Sequence, residues 1–318
     1  MTTGDPQYRE FRVATSKMVA DEIVLARLEP RDGRPVSEWE SGAHVEIRLP
    51  SGLIRHYSLC GDRADRGGYE IAVLHERAGR GGSREFHSLT AGAEVGVGEP
   101  RNGFSLESAA EYLFIAGGVG ITPILPMVRQ VASAGGSWNL LYAGRSQSSM
   151  AFIDEVRAID PDRVRVHCDD ESGTPDFAGV LATAGTSTRI YMCGPGPMLD
   201  HVTTLHSEAA IPGPLHLERF AAGTAAVVSG EPFELVAQRS GVTVTVSEGQ
   251  TILESLRPHI SRLPFSCEEG YCGTCETEVI DGIPDHRDTY LDDDEKESGG
   301  TVMICVSRCA GRRLVLDL

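Results

Sequence analysis

The chain has 318 residues and 41% hydrophobic content, enough for two or three domains with packed cores. Its 46 Asp and Glu against 29 Lys and Arg leave a formal net charge of −17. That balance excludes nucleic acid or anionic membrane as partners held by general electrostatics, and suits docking to a positively charged protein. No apolar run is long enough to span a bilayer, and the opening Met1-Thr2-Thr3-Gly4-Asp5-Pro6-Gln7 lacks a basic then apolar secretory pattern. A cytoplasmic protein is expected, acting as a monomer, its eight cysteines thiols rather than disulfides.

Residues 1–105 read as a first, all-strand domain. Segments 43–50, 68–74 and 93–97 carry the apolar residues of strands, separated by Gly-, Asp- and Arg-rich turns. With one short helical patch at 83–89 they predict a small antiparallel β-barrel. Arg55-His56-Tyr57-Ser58-Leu59 ends a strand there. Arg grips a phosphate or carboxylate in bidentate fashion, Tyr offers a stacking face, and a Ser hydroxyl can bond a ring nitrogen. A strand with an outward Arg and a packed Tyr is an equal reading of the same residues. Gly79-Arg80-Gly81-Gly82-Ser83 opens the helical patch with backbone N–H groups and a second Arg, which suits an anion as well as an ordinary turn.

The grammar changes at residues 106–224. Tyr112-Leu113-Phe114-Ile115-Ala116 is continuously apolar, as in a strand buried on both faces. Gly117-Gly118-Val119-Gly120 follows, with Thr122 placed as N-cap and Pro123 as first residue of a helix. Strands at 138–143, 164–168 and 189–193, alternating with helices at 150–159 and from about Pro197, predict a doubly wound parallel α/β sheet. The strand, glycine turn and helix at 116–123 suit a dinucleotide pyrophosphate, although Pro123 stands where the third glycine of G-x-G-x-x-G belongs. Cys193-Gly194-Pro195-Gly196-Pro197-Met198 lies at the carboxyl end of a predicted strand, where open α/β sheets bind ligands. Cys193 thus faces a nicotinamide, or is a buried inert thiol.

Residues 221–230 are Ala- and Gly-rich and read as a linker. The last domain, 225–318, holds predicted strands at 233–236, 243–246, 275–280 and 312–316 and a helix at 251–260, a mixed α+β sheet crossed by one helix. Cys267, Cys272, Cys275 and Cys305 follow C-x4-C-x2-C with the fourth cysteine after 29 further residues, the spacing of a plant-type [2Fe–2S] centre. Zinc is the alternative for four thiolates, but its sites usually pair two short C-x2-C knuckles. Gly270 and Gly273 sit between ligands, where a backbone wrapping a cluster closely excludes Cβ. Cys309 is expected as a spectator thiol, and the acidic run 292–297 as a solvated loop.

In combination, R-x-Y-S-L, G-R-G-G-S, G-G-V-G-I-T-P, C-G-P-G-P-M and C-x4-C-x2-C-x29-C, in that order over nearly the whole chain, resemble the phthalate dioxygenase reductase family. The resemblance implies an FMN-binding barrel, an NAD(P)-binding domain and a C-terminal β-grasp ferredoxin domain. It implies that Arg55, His56, Tyr57 and Ser58 contact flavin, that Arg80, Gly81, Gly82 and Ser83 lie near its phosphate, and that the backbone of Ala72, Val73 and Leu74 borders the ring. Gly118, Thr122, Cys193, Gly194 and Pro195 would surround the nicotinamide nucleotide, and Phe220 would cover a flavin face or simply pack at a domain junction. Ser58, near flavin N5, and Cys193, near nicotinamide C4, are the catalytic candidates. Ser266 would bond a cluster sulfur.

The implied activity is an NAD(P)H-dependent reductase that passes electrons through FMN and the [2Fe–2S] cluster to a separate oxygenase, Rieske-type or cytochrome P450. Two other readings use the same motifs: a free-standing flavin or quinone reductase, and a redox-sensing iron–sulfur flavoprotein. The family leans to NADH, while Arg145 after the second parallel strand leaves NADPH open.

Overall fold

The structure is a computed structural model that describes residues 8–77, 79, 81–220, 230–260, 263–265, 270, 273–288 and 290–318. The linker read at 221–230 lies outside them except for Gly230. The chain divides into two compact units, Met1–Phe220 and Ala221–Leu318.

The first unit begins with six antiparallel strands: β1 (Arg9–Ala20), β2 (Ile23–Pro30), β3 (His44–Arg48), β4 (Ile54–Ser58), β5 (Tyr69–Leu74) and β6 (Glu94–Val97). Their order is β4-β3-β6-β1-β2-β5, and a bridge between Leu59 and Ile71 joins the two ends, closing the sheet on itself. Val13, Leu28, Val45, Ile47 and Ile71 fill the interior with no exposed surface. Helix α1 (Gly82–Ser88) plugs it with Phe86. One residue departs from the alternation expected of β3. Glu46 should face water, yet it is 3% exposed. Its carboxylate accepts from Tyr8 Oη at 2.8 Å, pairs with Arg101 at 3.2 Å and lies 3.9 Å from His56 Nε2. Partners of that kind are what permit a buried carboxylate.

A parallel sheet follows in the same unit: β7 (Glu111–Gly117), β8 (Ser137–Gly144), β9 (Val164–Cys168), β10 (Thr188–Cys193) and β11 (Leu215–Glu218), ordered β11-β10-β7-β8-β9. Its helices are α2 (Ile121–Ser133), α3 (Ile153–Ile159), α4 (Asp169–Ser172), α5 (Phe177–Leu181) and α6 (Gly196–Glu208). The continuous apolar run of β7 serves two cores. Phe114 and Ala116 pack with Ile124 and Val128 of α2, whereas Leu113 and Ile115 pack with Phe177, Leu199 and Val202 on the opposite face. Each Leu, Ile, Val or Phe among them contributes about 1.5–3 kcal/mol when fully buried. Helix α2 starts one residue before the expected cap: Gly120 is its N-cap, and Thr122 lies inside the first turn, donating to Val119 O at 2.9 Å. A single 3₁₀ turn, Gly118–Gly120, delivers the chain into the helix, so no Thr side chain is needed as a cap.

The second unit holds β12 (Phe233–Ala237), β13 (Val242–Val246), α7 (Ile252–Leu256), β14 (Glu276–Asp281), β15 (Pro284–Asp285), α8 (Asp293–Ser298), β16 (Thr301–Met303), β17 (Arg308–Cys309) and β18 (Arg313–Leu316). The C-terminal strand is central: β18 pairs in parallel with β12 and antiparallel with β14. Helix α7 is shorter than the span 251–260, but its start is firmly set by a capping box between Thr251 and Glu254. The acidic run expected as a loop is instead helix α8. Asp292 accepts from Glu295 N while Glu295 accepts from Asp292 N, a second capping box that overrides the charge repulsion.

Candidate functional site

Strand β4 and helix α1 place two of the sequence motifs side by side. A Cβ on Gly82 would meet Arg55 at Nε and, 2.7 Å away, at Cγ, so the Arg55 side chain crosses the start of α1 through the space that Gly82 leaves. Gly81 adopts φ +89°, and Ser83 Oγ accepts from Glu76 N at 3.0 Å, closing the turn. Arg80 lies outside the described residues. Tyr57 leans on Phe86 with ring centroids 5.4 Å apart, and burial pushes its phenol well above the usual range. On β5, Ala72 and Val73 are buried and Leu74 partly so; the Val73 carbonyl contacts His87 Nε2 at 2.8 Å. His56 turns away from this group toward Glu46.

At the carboxyl edge of the parallel sheet the two glycine turns pack on one another. A Cβ on Gly120 would strike the Cys193 carbonyl, and one on Gly117 would lie 2.6 Å from Met198 Sδ and 2.7 Å from Pro195 Cδ. Gly118 is different: its φ is +53° and nothing lies within 4 Å of the Cβ position. Of the turn's glycines, then, Gly117 and Gly120 are required for packing, and Gly118 leaves open space for a ligand. Thr122 is 2% exposed with its hydroxyl used internally. Phe220 packs against the core shared by the barrel and the sheet.

Glu218 was not singled out by sequence. It ends β11 in register with Cys193 at the end of β10, and its carboxyl lies against the Ser58 hydroxyl without closing a hydrogen bond of normal geometry. Its signal was a carboxylate ending an apolar strand beside the Cys193 turn, a signal with no meaning until β11 is known to neighbour β10. Although the residue as a whole is partly exposed, Oε2 is shut off from solvent, and burial pushes the carboxyl up to about 8. The Cys193 thiol, fully buried, is raised by desolvation and by that neighbour. Tyr57 Oη, Ser58 Oγ and Glu218 Oε2 are all buried without a hydrogen-bond partner. Unsatisfied polar atoms are costly, and the Ser58 and Glu218 oxygens lie against one another, which fits a bound polar ring system such as a flavin at that point.

In the second unit Cys275 and Cys305 are each 2% exposed and share one core. Ile304 N donates to Cys275 O at 3.4 Å, joining the two cysteine-bearing segments. Cys267, Cys272 and Ser266 lie outside the described residues. Gly270 and Gly273 both have positive φ, +75° and +73°. Cβ atoms there would meet Val306 Cγ2 at 2.5 Å and the Tyr290 ring, respectively, so the glycines make room for these side chains. Cys309 is engaged elsewhere, with Gly311 N at 3.2 Å and Arg313 O at 3.3 Å. Two buried cysteines, Cys275 at the end of the glycine-containing loop and Cys305 on the segment hydrogen-bonded to it, fit an all-thiolate iron–sulfur centre.

Comparison with known proteins agrees with both halves. Residues 235–310 match the 2Fe-2S iron-sulfur cluster binding domain family, and residues 103–213 match the N-terminal domain of dimethylamine monooxygenase subunit DmmA-like proteins. The chain is 42% identical to phenoxybenzoate dioxygenase subunit beta of Ectopseudomonas oleovorans, covering 94% of each chain. The solved structure of phthalate dioxygenase reductase, described as modular for electron transfer from pyridine nucleotides to [2Fe-2S], matches with TM-score 0.79 and 37% identity over 98% of both chains. An intact type IV self-sufficient cytochrome P450 monooxygenase matches with TM-score 0.80 and 39% identity, over 98% of this chain and 41% of that one.

Proposed function

The chain belongs to the phthalate dioxygenase reductase family, and from that membership we propose how its own residues serve the family's electron route. It is an NAD(P)H-dependent iron–sulfur flavoprotein oxidoreductase of an oxygenase system. When bound, FMN would supply hydride acceptance from the coenzyme and one-electron release toward a [2Fe–2S] cluster. Residues 1–105 form the flavin domain, 106–224 the nicotinamide domain and 225–318 the ferredoxin domain. Arg55, with Arg80, Gly81, Gly82 and Ser83, holds the flavin phosphate; Tyr57 and Phe220 flank the ring, and Ala72, Val73 and Leu74 border it. Ser58 donates toward the ring edge, Cys193 orients the nicotinamide, and Glu218 holds a proton between them. Gly118, Gly194 and Pro195 seat the nucleotide, while Thr122 stiffens its turn. Cys267, Cys272, Cys275 and Cys305 ligate the cluster. The observation that carries this reading is the meeting of Ser58, Glu218 and Cys193 where barrel and parallel sheet adjoin.

The coenzyme is NADH. Arg145 is exposed after β8, but Asp170 N donates to Arg145 O at 2.9 Å and so brings the acidic turn of Asp169, Asp170 and Glu171 beside it. An acidic segment at this edge of the sheet disfavours a ribose 2′-phosphate. The acceptor is a separate oxygenase, and the protein acts as a monomer in the cytoplasm. One experiment tests the reading: visible spectra taken before and after anaerobic NADH or NADPH, with the released flavin identified by chromatography. Bleaching of flavin and cluster is expected, faster with NADH, and the flavin is FMN. Absence of flavin, or no bleaching with either coenzyme, would refute it.

A further inference from the structure

Asp288 is a carboxylate in the second unit whose side chain has no solvent exposure. Its Oδ2 accepts from Leu291 N at 2.9 Å and its Oδ1 from Ser307 Oγ at 3.2 Å. Ser307, also fully buried, accepts in turn from Arg287 N at 3.1 Å, and it stands two residues beyond Cys305. On the other side Asp288 meets the first cysteine loop: a Cβ on Gly270 would lie 3.1 Å from its Cα and 3.2 Å from its Cβ. One residue therefore touches both backbone segments that carry the cysteines. The basic group beside it is His286, whose Nδ1 is 3.6 Å from Oδ1 and whose two ring nitrogens are buried without a hydrogen-bond partner. The Arg287 guanidinium binds Asp285 instead, at 2.9 and 2.5 Å.

A tie between two loops does not need a charge. A neutral Asn or Ser would offer hydrogen bonds without the desolvation cost of burying an ion. Here the hydrogen bonds to the carboxylate come from a hydroxyl and a backbone N–H, both neutral, and the basic side chain beside it, His286, stands 3.6 Å away without closing a hydrogen bond. Charge and hydrogen bonding around an iron–sulfur centre set its reduction potential, and a nearby anion opposes the addition of an electron. Resting on the iron–sulfur reading above, we propose that Asp288 is the positioning residue of the cluster: through Ser307 it fixes the Cys305 turn against the Gly270 loop, and its buried charge holds the cluster's reduction potential down, keeping it a strong donor to the acceptor protein.

The test is a redox titration of the full-length holoprotein, followed by electron paramagnetic resonance of the reduced cluster, together with the rate of cluster loss to a chelator. Asp288→Asn removes the charge at constant shape and is expected to shift the midpoint to higher potential. Asp288→Glu, which keeps the charge, stays closer to wild type. Ser307→Ala cuts the tie but not the charge; it speeds cluster loss several-fold and moves the potential less than Asp288→Asn does. A wild-type potential in Asp288→Asn, or equal shifts in Asp288→Asn and Ser307→Ala, overturns the inference. A wild-type protein without a [2Fe–2S] spectrum would instead refute the iron–sulfur reading itself.

Discussion

At the scale of single residues, Glu218 shows what position does to chemistry. Its carboxyl has an ordinary value of 4.5 and is pushed up to about 8 because the site shuts it off from water. Between those limits the folded chain holds a proton that the unfolded chain releases. Stability from this group is therefore fully present below about pH 4.5 and falls as pH rises toward 8. Partial exposure of the residue caps the effect at a few kcal/mol, on the scale of about 1.4 kcal/mol per pH unit. Glu218→Gln should flatten this part of the pH dependence in the flavin-free protein, measured by urea denaturation at a series of pH values. A slope identical to wild type would show that the carboxyl is ionised in the folded state. The Ser58 and Cys193 motifs were legible because each ends a strand in a recognisable phrase; Glu218 was not, because its meaning depends on a neighbour 25 residues away.

Among the elements, the turn from β7 into α2 separates two uses of glycine that look alike in sequence. Gly120 sits under the Cys193 carbonyl, and the open Cβ position of Gly118 faces no protein atom. Gly120→Ala pushes backbone against backbone and should cost several kcal/mol of stability together with coenzyme affinity, because the 193–197 turn must move. Gly118→Ala meets only the strain of a positive φ, roughly 1 kcal/mol. Thermal unfolding of the two variants, with NADH titration of each, checks the order; a more damaging Gly118→Ala would reverse the assignment. Helix α8 teaches the complementary lesson. Its charge density hid a D-x-x-E capping box, a local device that determines the helix start whatever the net charge.

For the whole molecule the charge is unevenly spread. Residues 221–318 contain 17 Asp and Glu against eight Lys and Arg, more than half of the net −17 in less than a third of the chain. Exit of electrons through this unit toward a basic acceptor surface accords with that asymmetry. Tyr290, lying over Gly273 in the cysteine loop, is half-exposed. Among the described residues no helix is long and apolar enough to cross a membrane. A chain ending at Gly230 should still reduce ferricyanide with NADH but lose reduction of cytochrome c, a basic protein acceptor. Retained cytochrome c reduction would identify a direct flavin donor instead.

The sequence by itself determined the three kinds of segment, the cysteine spacing and the order of motifs, because alternation, continuous apolar runs and ligand spacing are local properties of the chain. Tertiary structure alone decided which residues meet. It closed the barrel through Leu59 and Ile71, laid Arg55 across Gly82, and set Glu218 beside Cys193 and Ser58. It also buried Glu46 and Asp288 with partners that local pattern could not name. A buried charge is tolerated only where distant segments supply its hydrogen bonds, and that supply is fixed by packing rather than by neighbours in sequence.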